Sequence, residues 1–175
     1  IERVDLVALV RNTASALETV AAKRGSAVTI STQVESVFAS IDARRVDRIL
    51  RNLIANAIEH GEGKPIEVTI GSDEAVVAVG VRDHGLGLKP GEAALVFNRF
   101  WRSDPSRQRT LGGTGLGLSI SLEDARLHGG WLEAWGAPGR GANFRLVLPR
   151  RAGDDVTHGL LPLDPFDPES AGVAP

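Results

Sequence analysis

The sequence predicts an α+β fold: a two-layer sandwich in which a mixed sheet is covered on one face by three helices. Two observations carry this expectation. Helical periodicity returns three times, over residues 4–24, 43–60 and 115–128, and pairs of strand-like apolar runs fill the intervals. The order is helix, two strands, helix, two strands, long loop, helix, two strands. That order lacks the strict strand–helix alternation a doubly wound parallel sheet requires.

The elements follow in turn. Residues 4–24 place Val4, Val7, Val10, Ala14, Leu17 and Ala21 at helical spacing, and Gly25 suits a C′ position. Residues 27–32 (AVTIST) and 36–41 (SVFASI) are short β-branched or alternating runs joined by polar residues, which predicts a hairpin. Asp42 is placed to cap a second helix, whose apolar face is Val46, Ile49, Leu50, Leu53, Ile54, Ala57 and Ile58. Gly61 and Gly63 stop it. Residues 65–72 and 74–83 form two nearly continuous apolar strands, the pattern of central, buried positions. Residues 84–114 are rich in Gly, Arg and Pro, with one short helical piece near Ala93 to Phe100. This long stretch is expected to be the most mobile internal segment and to become ordered around a bound anion. After the third helix, residues 131–137 and 142–149 close the domain as a hairpin.

Composition narrows the function classes. The 175 residues (18.5 kDa) are 42% hydrophobic and 24% charged, enough for one ordinary core. A net charge of −2 supplies no overall basic field for nucleic acid or an anionic membrane. The absence of cysteine rules out disulfides, thiolate metal sites and Cys nucleophiles. The chain begins at Ile1 and contains no Met, as expected of a piece of a longer protein. Residues 1–149 are expected to form the domain. Residues 150–175, rich in Pro and Asp and without a period, are expected to be a tail outside its core. The tail's one apolar cluster, Leu160 to Leu163 with Phe166, is the candidate anchor for docking on the domain.

Three groups of residues could carry chemistry. Gly112-Gly113-Thr114-Gly115-Leu116-Gly117-Leu118 opens the third helix. Glycines this dense let backbone N–H groups turn toward an anion at the positive end of a helix. They equally fit a flexible connection, and the Gly-Lys-Ser/Thr ending of a P-loop is missing. Asp83-His84-Gly85-Leu86-Gly87 ends a buried strand, where a carboxylate can accept a hydrogen bond from an exocyclic amine such as that of adenine. An ordinary Asp–Gly turn would read the same way. Asn52 and Asn56 lie four apart on one face of an otherwise apolar helix and could offer amide oxygens to a hard cation. Either could also be a surface or a satisfied core amide.

Together these groups resemble the catalytic ATP-binding domain of bacterial sensor histidine kinases. Residues 48–61 (RILRNLIANAIEHG) resemble that family's N box and residues 81–88 (VRDHGLGL) its G1 box. Residues 96–102 (VFNRFWR) resemble the F box and residues 112–120 (GGTGLGLSI) the G2 box. All four occur in the family's order, and the resemblance covers about residues 3–149. It implies the Bergerat, or GHKL, ATP-binding fold, with ATP and Mg²⁺ as cofactors. On this resemblance Asn56 supplies an oxygen to Mg²⁺ and Asn52 supports the metal–triphosphate end. Asp83 reads the adenine amine, and Gly85 and Gly87 make room for the base. Phe97 and Phe100 hinge and pack a lid, and Arg102 and Arg107 reach from it to the phosphates as catalytic cations. Gly113, Thr114, Gly115, Leu116 and Gly117 wrap the phosphates through backbone amides.

Some positions depart from the pattern. Many family members carry Lys and Tyr three and four residues after the metal-binding Asn, whereas this chain has Glu59 and His60. His60 can still stack or hydrogen-bond near a nucleotide, but Glu59 cannot attract phosphate. The ending LLPLDP, with the boxes, is similar to a narrower actinobacterial group of these kinases. His128 is expected to complement the C-terminus of the third helix electrostatically. The other histidines do not match the phosphoacceptor pattern either.

The same fold serves gyrase, mismatch-repair and chaperone ATPases, which place a Glu base one turn before the metal-binding Asn. This chain has Asn52 there, and an amide cannot take a proton. The resemblance therefore implies phosphoryl transfer to a histidine on an upstream dimerisation domain, in a homodimer, with relay to a response regulator. It implies a cytoplasmic domain of a membrane-anchored kinase, with no nucleic acid partner and no direct membrane contact by this piece. The alternative is a non-catalytic nucleotide-binding module, such as an anti-sigma factor.

Overall fold

The computed structural model describes residues 1–101 and 117–172. Its centre is a five-stranded sheet in the order β2-β4-β5-β7-β6: β2 Val28–Thr32, β4 Ile66–Ser72, β5 Val76–Asp83, β7 Ala142–Pro149 and β6 Trp131–Gly136. The sheet is mixed, because β2 runs parallel to β4 while the β4–β5, β5–β7 and β7–β6 pairs are antiparallel. Helices α1 (Leu6–Ala16), α3 (Ala43–His60) and α4 (Gly117–Leu127) pack over one face, with the short α2 (Glu18–Lys23) continuing from α1.

Helix α3 forms where its sequence pattern places it. Asp42 Oδ1 accepts from the N–H groups of Arg44 (3.1 Å) and Arg45 (3.2 Å), and these bonds hold the Asp42 carboxyl below its ordinary pKa. All seven expected face residues are buried, from Val46 to Ile58. They meet Val77, Val79 and Val81 of β5 and Phe144, Leu146 and Leu148 of β7 in one apolar cluster.

Two expectations are corrected. Residues 4–24 are not one helix: Glu2–Asp5 form strand β1, Asp5 caps α1, and Leu17 separates α1 from α2. Residues 27–41 are not a hairpin either. Strand β2 pairs with β4, and β3 (Phe38–Ile41) pairs antiparallel with β1 in a separate two-stranded sheet. The run lengths and patterns that favour extended chain were present, but the choice of partner rests on long-range packing that a local pattern does not encode. Further along, the helical piece expected near Ala93 to Phe100 is only a 3₁₀ turn over Glu92–Ala94. At the other end of α2, Gly25 (φ +84°) does close the helix: its N–H and that of Ser26 donate to Ala22 and Ala21, a Schellman arrangement.

The face of the sheet opposite the helices is covered by residues 150–172, which cross it as a strap. Val76, Ala78 and Val147 pack there with Val156, Leu160, Leu161 and Trp131. The ties are mainly polar. Arg145, 1% exposed, donates from Nη1 to the carbonyls of Leu161 (2.8 Å) and Ser170 (3.0 Å), and from Nη2 to Glu133 Oε1 (2.6 Å). Asn143 Nδ2 donates to the carbonyls of Pro162 (3.2 Å) and Leu163 (2.9 Å). His158 Nε2 pairs with Asp73 Oδ2 at 2.5 Å. The expected anchor residues therefore lie on the domain, with buried side chains of β7 holding the strap's backbone.

Candidate functional site

The end of β5, the end of α3 and the start of α4 meet around one cavity of about 40 Å³. Asn56, His60, Asp83, Gly87, Leu88, Val96, Trp101, Leu118, Ala142 and Phe144 contribute to its lining with Leu86. The volume falls far below the roughly 300 Å³ of a small-molecule site, so a nucleotide needs the apolar rim of Leu88, Val96, Trp101 and Leu118 to part.

Asp83 is the cavity's buried charge, only 2% exposed. Antiparallel register sets Asp83 opposite Ala142 on the helix side, while Arg82 and Asn143 point to the strap side. Its Oδ1 accepts from the Gly85 N–H at 2.9 Å. Burial pushes the Asp83 carboxyl above its ordinary pKa, and the opposing N–H groups of Gly85 and Ala142 do not cancel that push. A carboxylate kept at this cost inside an apolar cavity suits a ligand that donates hydrogen bonds.

The glycines of this turn have a structural reason of their own. A Cβ on Gly85 would lie 1.8 Å from the His60 carbonyl oxygen, and one on Gly87 (φ +75°) 1.9 Å from that of Ala137. What they make room for in this structure is the chain's own backbone, and Leu86 N–H donates to the same His60 carbonyl (3.3 Å). The turn is thereby locked between α3 and the β6–β7 connection.

The two asparagines, one turn apart, are used differently. Asn52 Nδ2 donates to the Gly117 carbonyl (3.0 Å) and to Ser121 Oγ (2.9 Å), tying α3 to the first turn of α4. Asn56 faces the cavity and has no hydrogen-bond partner among the described residues. Gly117 sits against Asn52, and Glu59 and His60 close the last turn of α3. Phe97 packs edge-on against Phe144, with ring centroids 6.0 Å apart. Phe100 does not join the cavity: it is 67% exposed at φ +62°. Arg102, Arg107, Gly113, Thr114, Gly115 and Leu116 lie outside the described residues, as do residues 102–114 of the stretch expected to be mobile.

Two features escaped sequence reasoning. Asp124 of α4, 1% exposed, receives Arg45 Nη1 at 2.9 Å and a two-pronged contact from Arg48, whose Nε donates at 2.9 Å. An acidic residue inside a helix otherwise headed by apolar side chains was the available signal. His128 does more than face a helix end. Its Nδ1 donates to the Asp124 carbonyl (2.7 Å) and its Nε2 accepts from Asp42 N–H (3.0 Å), joining the end of α4 to the cap of α3. Asn52, Ser121, Asp124 and His128 together make α3 and α4 one rigid unit.

Among the described residues no cluster of three or more His, Asp or Glu could hold a metal ion. The single amide oxygen of Asn56 therefore fits only an ion that arrives with most of its ligands, as Mg²⁺ does on a triphosphate. Nor is any described helix long and apolar enough to cross a membrane.

Comparison with known proteins agrees with this geometry. Residues 41–152 match the model of the histidine kinase-, DNA gyrase B- and HSP90-like ATPases, and the chain belongs to that family. Over 95% of its length it is 57% identical to the sensor histidine kinase MtrB of Mycobacterium leprae, of which it spans 30%. The catalytic domain of histidine kinase ThkA superposes with a TM-score of 0.75 at 26% identity, covering 86% of this chain and 95% of that one. Full-length ShkA in complex with AMPPNP gives 0.73 at 26%, covering 89% of this chain and 32% of that one. Within the family, the relatives make this an ATP-binding catalytic domain of the sensor histidine kinase type.

Proposed function

We propose that this domain binds ATP with Mg²⁺ and transfers the γ-phosphoryl group to a histidine on dimerisation helices elsewhere in a longer, membrane-anchored protein, for relay to an aspartate of a response regulator. The observation that carries the reading is Asp83, a buried carboxylate lining the same cavity as the amide of Asn56, which has no hydrogen-bond partner among the described residues. Asp83 would accept from the adenine amine. Asn56 would contribute an oxygen to Mg²⁺, which when bound neutralises phosphate charge.

The remaining work is positioning. Arg102 and Arg107 are proposed to bring cations to the phosphates, and residues 113–117 their backbone N–H groups. Asn52, where related ATPases hold a base, keeps its amide on Gly117 and Ser121, so that position supplies no base to activate water. That favours transfer over hydrolysis.

The test is a radiolabel transfer assay on the longer protein. Asn56→Ala should abolish transfer, because no neighbouring oxygen replaces the lost ligand, whereas a near-normal rate would reject the metal role. The isolated 175-residue chain should bind Mg·ATP yet form no acid-labile phosphate. Such phosphate appearing on it would contradict the assignment of the acceptor elsewhere.

A further inference from the structure

The strap is tied down most firmly on either side of Phe166. Asn143 holds the carbonyls of Pro162 and Leu163 before it, and Arg145 holds that of Ser170 after it. Between these ties the Phe166 ring lies 5.7 Å from Trp135, with the Arg140 guanidinium 3.8 Å above it and that of Arg82 at 5.5 Å. Arg82 also lies over Trp135, at 5.1 Å.

Both arginines belong to elements that frame the nucleotide cavity from behind. Arg82 directly precedes Asp83, so any shift of its backbone is a shift of the Asp83 carboxylate. Arg140 lies in the β6–β7 connection, where Gly139 N–H donates to the Leu86 carbonyl (2.9 Å) and Ala137 packs on Gly87. One ring therefore touches the two pieces of chain that hold the Asp83–Leu88 turn. The Nη1 of Arg82 is buried without a hydrogen-bond partner, so aromatic faces and nearby carboxylates, Asp83, Glu67 and Asp164, are what hold it. The share of this hold that Phe166 supplies, to Arg82 and to Arg140, disappears with the ring.

We infer that Phe166 and Arg82 are positioning residues for nucleotide binding, and that the strap sets the affinity of the cavity on the opposite face by fixing the end of β5. This rests on the ATP-binding reading above. Phe166 is 55% exposed, so its removal leaves the apolar core intact and the variant folded.

Mg·ATP affinity of the 175-residue chain, measured by titration calorimetry well below the melting temperature, tests it. Phe166→Ala should weaken binding roughly fivefold, the scale of one lost cation–π clamp, and Phe166→Tyr should restore it. Val156→Ala, which loosens the strap in its apolar cluster away from Arg82, should lower stability and leave affinity unchanged. Equal affinity of wild type and Phe166→Ala would overturn the inference. So would an equal loss in Val156→Ala, since that would be general loosening. Failure of the wild-type chain to bind Mg·ATP at all would instead overturn the functional reading on which the inference stands.

Discussion

The two faces of the central sheet are buried by opposite means. On the helix face, Val77, Val79, Val81, Phe144, Leu146 and Leu148 meet α1, α3 and α4 through apolar side chains. On the strap face, alternate residues of the same strands include Arg82, Asn143 and Arg145, whose donors and guanidinium planes grip carbonyls and rings of an irregular segment. Apolar packing needs only matching shape and is tolerant of substitution. The polar grip is directional, and a donor left without its partner costs more than a lost methyl group. The strap face should therefore be the more brittle of the two, although fewer residues build it.

The largest expected effect tests that brittleness. Arg145→Ala strands the Glu133 carboxylate and two strap carbonyls, and should cost about 3–5 kcal/mol in denaturant unfolding. The roughly 2–5 kcal/mol expected of a large-to-small change such as Ile54→Ala on the helix face overlaps that range but begins lower. A loss under about 1 kcal/mol would show that the strap is held by its apolar residues alone.

Next in size is Asp83→Asn, which separates function from stability on the helix face. It should weaken nucleotide binding by about 1–3 kcal/mol, through loss of a charge-assisted bond. In the nucleotide-free chain it should raise the melting temperature at neutral pH. Burial raises the Asp83 pKa, so the ionised form is disfavoured in the folded state. The wild-type chain then regains stability as pH falls through the folded-state pKa, and the gap to Asp83→Asn should close there. A variant less stable than wild type at pH 7 would mean that the carboxylate serves the fold.

The smallest effect belongs to Asp73, under the strap. Burial raises its pKa, but the Val76 N–H, His158 and the Ala75 N–H outweigh that, leaving it below the ordinary value. Its contribution is present above the unfolded-state pKa and is lost as pH falls through the lower folded-state one. Asp73→Asn should lower the melting temperature slightly at pH 7 and not at all in acid. An undiminished difference in acid would assign the effect to the hydrogen bonds from Ala75 and Val76 instead of the charge.

Much of the candidate site was legible because its residues sit in local patterns. Asp83 follows a buried strand and precedes glycines, and Asn56 interrupts an apolar helical face. The different use of Asn52 was not legible, since its partners Gly117 and Ser121 are sixty-five and more positions away. Phe100 shows the converse: its place in the F-box pattern suggested packing, yet its side chain faces solvent.

The sequence by itself determined what depends on neighbours along the chain. The α3 face, its Asp42 cap, the Gly25 stop, the two central strands β4 and β5, the β6–β7 hairpin and the order of the boxes all follow from periodicity and turn chemistry. Only the tertiary structure decided that β2 pairs with β4, that β1 and β3 form their own sheet, and that Asp124 and His128 fasten two helices. It also decided that a Pro- and Asp-rich segment lies folded across the sheet. Each of those depends on contacts between residues far apart in sequence. Closing such loops has an entropic cost that grows slowly with length, so the partner chosen is the one with the best complementary surface, and local composition does not encode that choice.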